Sequence, residues 1–257
     1  MMNSMHIKKN KTLFNIFAST FTIFILFLIW IIISSTKNNP LIYPKIDEIF
    51  HEFGNIFKNS SLKIFGYSFY RLLISVVVSF AISIVVMVLY VFQKRTFGFI
   101  SPIIKIMRSV PFVSFSIFVI LVFGSSNAPY IITGLVTVPI IIDGLKGGLD
   151  QIDRNLLDDL SLLNIGFFKK VYLVYIPILL PTIITLFLQT FGLGFKVMVM
   201  GEYFSQTPMS VGKTLYNAQS FLDMDVVIAW TIMIVIITGV VEFFVNLFKE
   251  KYNYIIK

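Results

Sequence analysis

DRNLLDDLSLLNIGFFKKVYLVYIPILLP, residues 153–181, is the one long polar interruption between strongly apolar segments that still carries a folding pattern. Leu156, Leu157, Leu160 and Leu163 recur at helical spacing, while Asp158 and Asp159 turn toward another face. The pattern predicts an amphipathic helix over 154–163, too short to be stable alone in water, so it must lie against something. Asn164 stands where that helix should stop, because asparagine tolerates the left-handed conformation that ends helices; Gly166 offers a second position for the same turn. Lys169 and Lys170 then mark a membrane–water boundary, and an apolar run resumes toward Pro177 and Pro181.

On either side of this loop the chain reads as membrane protein. Of its 257 residues 57% are hydrophobic and 13% charged, with a mean hydropathy of +0.88, outside the range of soluble globular domains. No segment is long and polar enough for a separate soluble domain. The absence of cysteine removes disulfides and thiolate metal sites from consideration, and His6 and His51 stand too far apart in sequence to suggest a histidine metal centre. A net charge of +8 raises nucleic acid as a partner, but the basic residues gather at the ends of apolar runs, where membrane topology puts them. No nucleic-acid partner is expected.

Six spans follow from the hydropathy pattern. Lys8, Lys9 and Lys11 precede an apolar run from Leu13 to Ser34, too long for the apolar core of a signal peptide and without a small-x-small site after it, so it reads as a retained span. A short helix is expected over Ile46–Phe57, a second span over Ser68–Phe92, and Phe99–Ser109 along the membrane surface, because Lys105 and Arg108 are costly at a bilayer centre. Arg108 reads as an interfacial anchor. A short span starts near Val110, with a joint at Pro111; a turn, GSSNAP, occupies 124–129. The fourth span, Tyr130–Leu145, is expected to break at Pro139; the fifth runs from Tyr172 to Met200; 201–225 form an outer loop; and the sixth covers Val226–Leu247. Both termini are expected in the cytoplasm, although Lys37, Lys45, Lys58 and Lys63 in the outer segment weaken the charge asymmetry.

The loop's order of residues, an acidic position, a turn six places later and a hydrophobic run ending in proline, resembles the cytoplasmic signature loop of ATP-binding-cassette (ABC) importer permeases. That signature typically reads Glu-Ala-Ala, a short spacer, Gly, a longer spacer and Ile-x-Leu-Pro. Counting back from Tyr175-Ile176-Pro177 sets Asp158-Asp159-Leu160 at the first element and Asn164 at the glycine; Asp replaces Glu, neither small residue is kept, and Asn replaces Gly. The run IKIMRSVPFVSFSIFVILVFG, 104–124, resembles the Arg-Pro-Ile-Pro segment of permeases for nitrate, sulfonate, taurine and thiamine-precursor pyrimidines. Pro44, Ser68–Leu73, the run Gly192–Glu202 and Ala218–Asp225 fall in the same order as in that subfamily.

The resemblance implies an all-α, polytopic type I ABC importer permease. Residues 1–64 would hold the N-terminus, first span and extracytoplasmic segment, 65–247 the permease domain with coupling loop 150–171, and 248–257 a cytoplasmic tail. Such a subunit is no enzyme and binds no cofactor; ATP is bound by a partner. The partners implied are a second copy of the chain, cytoplasmic ABC ATPase subunits, an extracytoplasmic solute-binding protein and the lipid bilayer of a prokaryotic cell membrane. The coupling loop would use Leu156, Leu157, Asp158, Asp159, Leu160, Leu163, Asn164, Gly166 and Pro177. Without the resemblance, helix 154–163 would read as an interfacial helix packed on lipid.

Lys196 and Glu202 are candidates for the translocation path, because an ionisable residue in a span is a functional candidate by default. Lys196 has two readings, lining a pore or snorkelling to the outer surface. Gly212-Lys213-Thr214 invites comparison with a phosphate-binding loop, but Thr207 stands where the first glycine belongs, so ATP binding falls to another polypeptide. A secondary transporter would call for inverted repeats with intramembrane acids, and a membrane hydrolase for a nucleophile with its base; neither pattern is visible. The solute stays open among nitrate, sulfonates, bicarbonate, pyrimidine precursors and riboflavin-like compounds.

Overall fold

The computed structural model describes residues 21, 22, 25, 28–36, 42–153 and 166–255, and the regular elements among them are all helical. Helix α1 (Ile46–Ile56) starts with a backbone N–H of Lys45 donating to Glu48 Oε2 at 2.8 Å, and it buries Ile49 and Ile56. There follow α2 (Asn59–Phe92), a 3₁₀ turn (Lys94–Thr96), α3 (Phe97–Ser109), α4 (Phe112–Phe123) and α5 (Ala128–Asp150). After the loop, a turn of helix at Phe167–Lys170 and a π turn at Val171–Tyr175 lead into α6 (Ile176–Ser205); α7 (Val211–Phe221) and α8 (Met224–Ile255) complete the chain.

Among the described residues, four helices are long and apolar enough to cross a membrane: Ser60–Phe92, Ala128–Asp150, Phe168–Ser205 and Met224–Leu247. A fifth crossing results if α3 and α4, bent by 103° at Ser109–Pro111, count as one broken span. The expected first span lies mostly outside the described residues; of it, 28–36 are helical, with Trp30 Nε1 donating to the Pro44 carbonyl at 3.3 Å.

Helices α5 and α6 run antiparallel and touch along their length. Gly201 lies against Pro129, Thr133 beside Met198, Gly144 against Leu186 and Gly148 against Leu179. A Cβ added to Gly144 would overlap the Leu186 side chain, so glycine sets the separation there. Helix α2 joins through one polar face. Ser68, Ser75, Ser79 and Ser83 are all buried, and the hydroxyls of Ser79 and Thr137 lie 2.7 Å apart. Lipid tails are as apolar as leucine, so small residues and buried hydroxyls, rather than hydrophobic burial, hold these helices together.

Several boundaries differ from the sequence reading for identifiable reasons. The helix of the second span begins nine residues early, at Asn59, because Ile64 and Phe65 pack on the cluster formed by Phe191, Phe195 and Trp230. Helix α5 continues through Pro139, which is buried among neighbouring helices. Helix α6 runs to Ser205 and the supposed outer loop contains α7, because Glu202 is neutralised within the bundle and does not end the span. The expected sixth span ends at Leu247 as read, on a helix that runs from Met224 to Ile255. Arg108, expected as an interfacial anchor, is ion-paired with Asp143 of α5.

Gly144→Ala is expected to lower the melting temperature of the detergent-solubilised protein, at a cost of about 1–3 kcal/mol for overpacking. Leu186→Ala in the same chain should recover part of it, as read by a thermal-shift double-mutant cycle.

Candidate functional site

At the end of the bundle carrying α7, three polar groups converge on one carboxylate. Glu202 is completely buried, and Arg71 Nη1 approaches its Oε1 at 3.0 Å. Ser68 Oγ donates to Oε2 at 2.8 Å, and the backbone N–H of Gly212 donates to the same oxygen at 3.2 Å. Arg71 also donates to the carbonyls of Met209 (3.2 Å) and Pro208 (3.0 Å), while the Val211 N–H donates to Ser68 Oγ at 2.9 Å. The start of α2, the end of α6 and the segment 206–212 are thereby locked together. Gly212 is required by this arrangement, because a Cβ there would collide with the backbone of Val199 and Tyr203. Ser210 caps α7, accepting from the Lys213 N–H at 3.0 Å, so Gly212-Lys213-Thr214 opens a helix packed on α6.

Lys196 is exposed on α6, six residues before Glu202. It belongs to a stripe with Gln189, Leu193, Met200 and Phe204, all exposed and spaced along one helical face. Beside that stripe, Phe204 stacks near Phe112 (ring centroids 6.2 Å apart), and Val197 reaches a cavity of about 460 Å³ that Arg108, Phe112, Val136 and Ile140 also line.

At the opposite end, the loop leaves α5 through a polar knot. Asp150 accepts from Tyr90 Oη at 3.2 Å and pairs with Lys146, whose ammonium lies 5.3 Å from the Phe97 ring centre. Ile152, the next anchor, is buried. Leu156, Leu157, Asp158, Asp159, Leu160, Leu163 and Asn164 lie outside the described residues; Gly166 and Pro177 are exposed. Proline lacks the N–H for a normal helical bond and crowds the carbonyl four residues back; the wide π turn at Val171–Tyr175 ends two residues before Pro177 and includes that carbonyl, on Leu173.

A bundle of long apolar helices pinned by a few buried polar contacts fits a membrane component. The sequence profile of the family described as "Binding-protein-dependent transport system inner membrane component" matches residues 90–254. The chain belongs to that family. It is the permease subunit of an ABC importer, a transport component rather than a member of an enzyme class, and its family implies ATPase and solute-binding-protein partners. The permease is also similar to the "Putative aliphatic sulfonates transport permease protein SsuC" of Bacillus subtilis, at 23% identity over 194 residues that cover 74% of this chain and 70% of the relative.

Sequence reasoning singled out Glu202 but not its partners. Arg71 and Ser68 lie more than 130 residues away, and only the fold brings them to the carboxylate. Asp143 was missed for a similar reason, since its partner Arg108 is 35 residues distant and on a helix that doubles back.

Arg71→Ala leaves a buried carboxylate without its cation and is expected to cost about 3–5 kcal/mol. A paired Arg71→Met, Glu202→Leu permease should regain much of the lost thermal stability in detergent, because two apolar groups leave no uncompensated charge.

Proposed function

We propose that the permease works as a homodimer in a prokaryotic cell membrane, with the loop 151–166 and both termini in the cytoplasm and the α7 end outside. Lys94, Arg95, Lys146, Lys169 and Lys170 gather at the loop end, which supports that orientation. The outer surfaces around α1 and α7 receive the solute-binding protein. Helix 154–163 docks into the ATPase with Asp158 and Asp159 toward it, while Asn164 or Gly166 turns the chain into Phe167–Lys170. Tyr90, Lys146 and Asp150 fix one root of this lever, and the π turn before Pro177 forms the other.

The solute is a small anion of the sulfonate kind. One observation carries this reading. Lys196 is exposed about 13 Å inside the end of α6, on a stripe that also holds Gln189. A cation facing lipid at depth costs about 3 kcal/mol, whereas one facing a water-filled path between two subunits costs little and attracts anions. The similarity to an aliphatic sulfonates permease agrees with this reading.

In vesicles holding the complete importer, Asp158→Ala with Asn164→Ala should abolish ATP-driven uptake while leaving insertion intact; undiminished uptake would refute the coupling role. Lys196→Met should reduce uptake of methanesulfonate at least fivefold, and an unchanged rate would assign Lys196 to snorkelling.

A further inference from the structure

We propose that the break between α3 and α4 is a binding site for a small oxyanion, with Arg108 as its ligand and Asp143 as the carboxylate that occupies Arg108 when the site is empty. This rests on the reading of the solute as an anion.

Three observations converge. Arg108 is the one charged side chain lining the 460 Å³ cavity, whose other walls include Val110, Phe112, Phe115, Val136 and Ile140. A single cation among apolar walls orients an anion and holds it by few contacts. Second, the cavity abuts the start of α4. Pro111 has no N–H and no side chain caps this helix; the first intrahelical bond recorded there runs from Phe115 to Pro111. The N–H groups of Phe112, Val113 and Ser114 therefore have no intrahelical acceptor, and the positive end of the helix dipole points to the break. Both sources of positive potential meet at one place.

Third, the Arg108–Asp143 pair is exposed rather than packed into the bundle. Its side chains are 59% and 41% exposed, so an anion in the cavity can reach Arg108 without unpacking the bundle. Yet Asp143 sits seven residues, about 10 Å, inside the end of α5, where an ionised carboxylate on an apolar span is otherwise costly. The planar guanidinium fork matches two oxygens of a sulfonate or nitrate as well as it matches a carboxylate. An arriving anion takes over the donors held by Asp143, and the released carboxylate then repels it. Binding is favourable enough to admit the solute and weak enough to release it, as passage requires.

The register of α5 on α6 places Lys196 opposite residues near 134, about 12 Å along the bundle from Asp143. Lys196 and Arg108 are thus successive cations on the way from the α7 end toward the loop end.

The test measures the Kd of methanesulfonate for the detergent-solubilised permease–ATPase complex, without binding protein, by saturation-transfer NMR on the methyl protons. Arg108→Gln is expected to raise Kd at least tenfold, and Asp143→Asn to lower it severalfold because the internal competitor is gone. Arg108→Lys, which keeps the charge and the ion pair but loses the fork, should fall between wild type and Arg108→Gln, and it serves if the glutamine variant does not fold. A pair that is only structural would make both partners' variants fail in the same direction, and that result overturns the proposal. So does an unchanged Kd in Arg108→Gln or Arg108→Lys. Uptake by the wild-type importer separates the two levels: absent methanesulfonate uptake removes the anion reading and this site with it, whereas normal uptake with an insensitive Kd removes the Arg108 site alone.

Discussion

In a bilayer, leucine gains nothing by leaving lipid for another leucine, so the helices of this permease can be held together only by close approach and by polar groups that lipid cannot satisfy. Both devices are concentrated on α5. Gly144 and Gly148 let Leu186 and Leu179 of α6 come in on one side, and Thr137 meets Ser79 of α2 on another. This three-helix contact fixes the axis from which every other element is hung. Helices α3 and α4, largely exposed, fold around it as a broken arm, and α1 and α8 close the remaining side around Trp230 and Ile56.

The polar groups divide by task according to burial. Glu202 and Arg71, with solvent accessibilities of 0% and 13% at their side chains, are saturated by Ser68, Gly212 and two carbonyls, and have nothing left to offer a solute. Lys196 remains exposed, and Arg108 is exposed while paired with Asp143. Both kinds occur on α6, where Lys196 and Glu202 are less than two turns apart.

The membrane class, the helical architecture and the family were legible in the sequence because they rest on local signals: apolar run length, turn residues and collinear motifs. The joint at Pro111 was equally local, and it lies at a bend of 103°. What escaped was governed by distance. A lone Glu202 reads as the end of a span unless its cation is known, and Arg71 lies 131 residues earlier. Pro139 reads as a break unless its burial between neighbouring helices is known. The helix expected over 154–163, which the sequence marks most clearly, falls outside the described residues.

The segment 206–222 contains three non-glycine residues in left-handed conformations, Gln206, Met209 and Leu222, each costing about 1–2 kcal/mol. Arg71 holds this reluctant stretch by its carbonyls while gripping Glu202, so residues far apart in the chain are stapled at a single point. In a protein without cysteine, that contact does the work of a disulfide. Unlike a sulfur bridge, it closes without an oxidant and is indifferent to the thiol chemistry of whichever compartment bathes it, and it can be undone by neutralising one charge.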